Sequence, residues 1–83
     1  MKITLRLYAT LQDYLPPGTP GNQVELDLPE GATITEVLES LSVPLALAHI
    51  VMVKGRHVLK PQLAERVLLA GDELAVWPAI GGG

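Results

Sequence analysis

The chain has no cysteine. That single absence removes disulfide scaffolds, thiolate metal sites, iron–sulfur clusters and cysteine nucleophiles together. Basic charge is sparse as well: six lysines and arginines stand against nine acidic residues, a formal net charge of −3. They are scattered, so no electrostatic footprint for nucleic acid is visible. No apolar run approaches the roughly 18 residues that a membrane span needs. The opening Met1-Lys2-Ile3-Thr4-Leu5-Arg6 has no apolar signal-peptide core. The expectation is a cytoplasmic protein with no nucleic-acid or membrane partner.

Catalytic equipment is equally thin. Ser40 falls in a predicted helix and Ser42 at its end, and no serine occupies a strand-to-helix elbow of the Gly-x-Ser-x-Gly kind. His49 and His57 are placed to face each other across a Lys54-Gly55 turn, but no further His or Cys completes a zinc set. No metal site is expected. Glu36 and Glu39 flank a helix, and Asp72 and Glu73 sit in a turn, so none of them requires an acid–base role. Lys54-Gly55-Arg56 is not a phosphate loop. A carrier or interaction module is expected rather than an enzyme.

What the chain does have is apolar content, 48 % of its 83 residues. That is enough for one core and too little length for two. Ile3, Leu5 and Leu7 alternate with Lys2, Thr4 and Arg6, the pattern of a strand with one buried face. Leu11, Tyr14 and Leu15 fit a short helical turn, and Pro16 to Asn22 reads as a loop. Val24, Leu26 and Leu28 alternate with Glu25 and Asp27 in a second strand. Thr33 stands three residues before Glu36, a capping box at a helix start. Ile34, Val37, Leu38 and Leu41 then share one helical face, and Pro44 is expected to end the helix. His49 to Val53 is an apolar strand, Lys54-Gly55 a tight turn, and His57-Val58-Leu59 a short return strand. Leu74 to Trp77 is the last strand, closed by Pro78.

These elements predict an α+β fold: a mixed four- to five-stranded sheet with one main helix on one face. With the first and last strands parallel in the middle, this is the β-grasp arrangement. The expected core is Ile3, Leu5, Leu7, Val24, Leu26, Val37, Leu38, Leu41, Ile50, Met52, Leu74 and Val76. That choice turns Val51, Val53, Ala75 and Trp77 to the outer face, with Tyr8 at the end of the first strand. An apolar patch containing a tryptophan suggests a partner interface.

The β-grasp domain is assigned to residues 1–78 and a flexible glycine tail to 79–83. Gly81-Gly82-Gly83 directly follows the last strand and Ile80. A terminal glycine carboxylate has no Cβ beside it, so it can thread a narrow tunnel and meet ATP in another enzyme. A frayed end of no consequence is the plainer reading, and the preceding fold argues against it.

Several segments carry a family resemblance together. They are Leu7-Tyr8-Ala9-Thr10-Leu11, Gly31-Ala32-Thr33-Ile34 with Val37-Leu38, Val53-Lys54-Gly55-Arg56, Gly71-Asp72-Glu73-Leu74-Ala75-Val76, and Pro78 followed by Gly82-Gly83. In that order they resemble the ubiquitin-like sulfur carriers of the MoaD and ThiS type, along nearly the whole length. The stretch from Ala9 to Asn22 looks more like the small subunit of molybdopterin synthase. The family's hairpin usually has Asn where Lys54 stands, and its tail usually lacks the extra Gly81.

The resemblance implies a non-catalytic carrier that binds no cofactor of its own. An E1-like enzyme would adenylate the carboxylate of Gly83 with ATP, and a sulfur donor would convert it to a thiocarboxylate. Gly81 and Gly82 would line its path. The strand parity, independently of the resemblance, makes Trp77, Ala75, Val51, Val53 and Tyr8 the expected partner-binding surface, with Ile80 beside them. The acceptor would be the large subunit of molybdopterin synthase or an analogous enzyme. Thiamin, tungsten-cofactor, cysteine and tRNA thiolation pathways use the same chemistry. A ubiquitin-like modifier joined to target proteins through Gly83 is the rival of another class.

Overall fold

The computed structural model describes residues 1–79. Strand β1 (Lys2–Leu7) is followed by β2 (Gln23–Asp27), the helix α1 (Ile34–Ser40), β3 (Ile50–Val53), β4 (Arg56–His57) and β5 (Glu73–Trp77). Short 3-10 turns at Ala9–Tyr14, Leu45–Leu47 and Lys60–Gln62 punctuate the connections. The strand order is β2-β1-β5-β3-β4. β1 and β5 run parallel at the centre, with Leu5 beside Leu74 and Leu7 beside Val76. Every other pairing is antiparallel. This is the β-grasp topology expected from the sequence.

The alternation in β1 does what its period requires. Ile3, Leu5 and Leu7 are fully buried, while Thr4 and Arg6 stay on the far face. Ile34, Val37 and Leu38 of α1 pack onto that buried side. The capping box forms as written. The Thr33 hydroxyl accepts from the Glu36 N–H at 3.2 Å, and the Glu36 carboxylate accepts from the Thr33 N–H at 2.9 Å. Such a cap contributes about 0.5–2 kcal/mol.

The helix ends by a different device from the one expected. Ser42 adopts a left-handed conformation, φ 63°. The Val43 N–H donates to the Leu38 carbonyl at 2.9 Å and the Ser42 N–H to the Glu39 carbonyl at 3.0 Å. This is a Schellman motif, completed by the apolar pair Leu38 and Val43 in the core. The helix is closed before Pro44 can act on it.

Strand β3 overturns one expectation. Val51 and Val53 are buried, and Ile50 and Met52 are the half-exposed pair. The reason is register. Val51 sits opposite Val76 and Val53 opposite Leu74, and directly opposed residues share a face. Since Leu74 and Val76 face the helix, Val51 and Val53 must do the same.

The expected core is otherwise present but looser at its margin. Val24, Leu26 and Leu41 are half-buried rather than enclosed. Their share is taken by residues outside the strands and α1: Leu11, Val43, Ala48, Val58, Leu63 and Leu68 are all buried. Asp72 is buried as well, its carboxylate accepting from the Leu69 N–H at 2.8 Å to hold the turn before β5. No helix among the described residues is long and apolar enough to cross a membrane.

Candidate functional site at the end of the central strand

The sheet face turned away from α1 carries a band of apolar side chains. Trp77 and Ala75 come from β5; Ile50 and Met52, directly opposite them, come from β3. Tyr8 joins from the end of β1. Its N–H donates to the Val76 carbonyl at 3.1 Å, which extends the parallel pairing by one residue. The Tyr8 ring thereby lies flat on the Trp77 indole, with centroids 4.4 Å apart and planes 7° from parallel. A stacked aromatic pair adds about 0.5–1.5 kcal/mol beyond the area it buries. On its other side the Trp77 carbonyl accepts from the His49 N–H at 2.9 Å. The end of β5 is thus held from both neighbours.

Polar groups bound this band. The Arg6 Nε donates to Gln23 at 2.9 Å, and its Nη1 reaches Glu73 at 3.2 Å. His57 lies opposite Met52 on the side of β4. Beside the end of β5, the 3-10 turn exposes Leu45 and Leu47. The Leu47 carbonyl accepts from the same His49 N–H that reaches Trp77, so this apolar corner adjoins the exit of the chain.

Of the residues expected at a partner surface, Tyr8, Ala75 and Trp77 come together on the outer face. Val51 and Val53 do not; they point into the core, and Ile50 and Met52 take their places. Leu45 and Leu47 were not foreseen, because their segment shows no period. Ile80, Gly81, Gly82 and Gly83 lie outside the described residues. His49 and His57 do not face each other, because His57 is opposite Met52, three positions beyond His49. Among the described residues no three His, Cys, Asp or Glu side chains converge as a metal site. The arrangement is a stacked aromatic pair within an apolar band at the end of a central strand.

Comparison with known proteins gives the family and the same fold. The sequence model of the family described as Mut7-C ubiquitin matches residues 1–81. No curated protein matches the chain. Among solved structures, SAMP1 of Haloferax volcanii, a small archaeal modifier protein, is 25% identical with a TM-score of 0.68, covering 100% of both chains. The Haloferax volcanii protein HVO 2177 is 26% identical with a TM-score of 0.77, covering 100% of this chain and 87% of that one. A Pyrococcus furiosus protein described as a molybdopterin converting factor, subunit 1, has a TM-score of 0.66. At 20% identity over 95% of this chain and 98% of that one, it shares the fold.

Proposed function

The chain belongs to the Mut7-C ubiquitin family, and on that premise we propose that it is a sulfur carrier whose reacting group is the carboxylate of Gly83. The observation that carries this reading is the course of β5. The central strand runs past the Tyr8–Trp77 stack and continues in sequence through Pro78 and Ala79 to Ile80-Gly81-Gly82-Gly83. A partner that grips the outer face would have the glycines within reach of its own active site. An E1-like enzyme transfers the adenylyl group of ATP to the carboxylate and releases pyrophosphate. Sulfide-level sulfur from a donor then attacks the acyl carbon, AMP leaves, and a thiocarboxylate remains. The carrier contributes binding and reach, and its partner supplies the catalytic groups. The small-subunit role in molybdopterin synthesis is the favoured use. It draws on the Ala9–Asn22 stretch and on the fold shared with the Pyrococcus furiosus protein.

A second reading, conjugation to lysines of other proteins through Gly83, draws on the likeness to the Haloferax volcanii modifier. Both readings use the same adenylate and diverge at the nucleophile. Intact mass of the native protein tests the first: a fraction should carry sulfur in place of one terminal oxygen. An E1-like enzyme should also exchange pyrophosphate into ATP only when the carrier is present. Covalent adducts on target lysines without any thiocarboxylate would replace the first reading by the second. No pyrophosphate exchange would remove both.

A further inference from the structure

The helix covers the sheet unevenly. Val24 pairs with Leu5 and Leu26 with Ile3, so both project to the helix side, as does Leu28 by alternation. Leu5 and Ile3 are fully buried, but Val24, Leu26 and Leu28 keep one flank open. Beside the end of this row lies a shallow cleft of about 170 Å3, walled by Leu28, Ala32 and Val37 and rimmed by Glu36 and Ser40.

β2 is also an edge of the sheet. The Leu7 N–H donates to the Asn22 carbonyl and the Leu28 N–H to the Met1 carbonyl, so this row of β2 turns its backbone toward β1. Alternation then turns the N–H and C=O groups of Gln23, Glu25 and Asp27 outward. Among the described residues none bonds them. The opposite edge, β4, has only Arg56 and His57 and is too short to template a strand.

We infer that the β2 edge accepts an extended segment of a partner protein in which apolar and basic residues alternate. An added strand sends successive side chains to opposite faces. One set would lie along Val24, Leu26 and Leu28 and over the cleft. The other would emerge beside Glu25 and Asp27. Both carboxylates are exposed, Glu25 has no ion-pair partner among the described residues, and Asp27 meets only the Met1 amine at 3.3 Å. Charge selects against a second copy of the chain. Antiparallel pairing of two β2 edges about Glu25 sets like charges directly opposite each other, which is destabilising. A lysine or arginine at the same place reverses the sign. This edge is separate from the aromatic band around Trp77, so it can be occupied while that band is held.

The test is an NMR titration of the isotope-labelled full chain with a capped heptapeptide of alternating lysine and valine. The Gln23, Glu25 and Asp27 amide signals should move. Their hydrogen exchange should slow by about tenfold or more at saturation. Glu25→Lys should weaken binding by about fivefold, the scale of a reversed cross-strand charge pair. Glu25→Pro should abolish it, because it removes an outward N–H without touching the bonds to β1. Should Glu25→Pro disturb the fold, methylating the peptide's own edge-facing nitrogens should abolish binding, while methylating the alternate nitrogens should not. Equal binding of a glutamate–valine heptapeptide would overturn the proposal. So would shifts confined to the surroundings of Trp77, or self-association of the chain in the absence of peptide.

Discussion

Val51 lies directly opposite Val76, and both are buried to within 1 % of full enclosure. That one pairing fixes which side of two adjacent strands meets the helix. It also decides which side chains are left for a partner.

Substitutions in β3 should therefore separate by parity. Val51→Ser removes core contacts and buries a hydroxyl, and should cost about 2 kcal/mol or more. Met52→Ser, on the half-exposed face, should cost less than about 1 kcal/mol. Urea unfolding of the two variants measures the difference. Equal costs would mean that β3 is not held in this register.

Leu38→Ala should cost about 2–5 kcal/mol. Leu38 is fully buried, and its carbonyl also accepts the bond that closes the helix. The total stability of a domain this size is only about 5–15 kcal/mol at most. The thermal midpoint should fall accordingly; a loss below about 0.5 kcal/mol would contradict the packing of this face.

Trp77→Ala should leave the sheet intact and lose the stack on Tyr8. In a partner interface a residue of this kind is worth about 2 kcal/mol or more of binding. Calorimetric affinity for the E1-like partner, with the melting curve as control, reads both effects. Unchanged affinity would remove the outer face from the proposed interface.

Deletion of Gly82 and Gly83 should abolish pyrophosphate exchange, with urea unfolding as the control for the fold. Gly83→Ala should reduce exchange by adding one Cβ at the reacting end. Full exchange by the shortened chain would end the carrier reading.

Lys54→Asn should stabilise the fold. Lys54 and Gly55 both have positive φ, 50° and 77°, the geometry of a two-residue hairpin turn. Glycine adopts it freely, and asparagine tolerates it better than lysine. The Lys54 ammonium is exposed and stands 4.0 Å from the buried Asp72 carboxylate, the outer limit of an ion pair, and Asp72 keeps its bond from the Leu69 N–H without it. A gain of about 0.5 kcal/mol is expected from chemical denaturation, and a loss would mean that the contact to Asp72 outweighs the turn.

The legible parts of the fold were those whose chemistry is periodic. In β1, polar residues mark the outer face, and in β5 the register that buries Leu74 and Val76 turns Ala75 and Trp77 out. The spacing from Thr33 to Glu36 marks a helix start. Ile50-Val51-Met52-Val53 carries no such mark, because both of its faces are apolar and only long-range pairing with β5 sets them. One signal was present across the turn: polar His57 lies opposite Met52, while the N–H of apolar Val58 reaches back to the Val51 carbonyl. Arg56 opposite Val53 gives the contrary sign, so β4 alone does not assign the faces of β3. Leu63 and Leu68 were invisible for a different reason. They enter the core from a segment that is mostly irregular, where no repeat announces which side chain turns inward.

The parallel pairing of β1 with β5 also has a mechanical meaning. A partner that drew the chain in beyond Ala79 would pull on the end of β5, and the body it held would resist through β1 and β3 on either side. Load applied along neighbouring strands is shared by all their cross-strand hydrogen bonds at once, rather than opening them one after another. The segment most exposed to traction is therefore anchored where the sheet resists it best, and the domain should stay folded while its end is worked on.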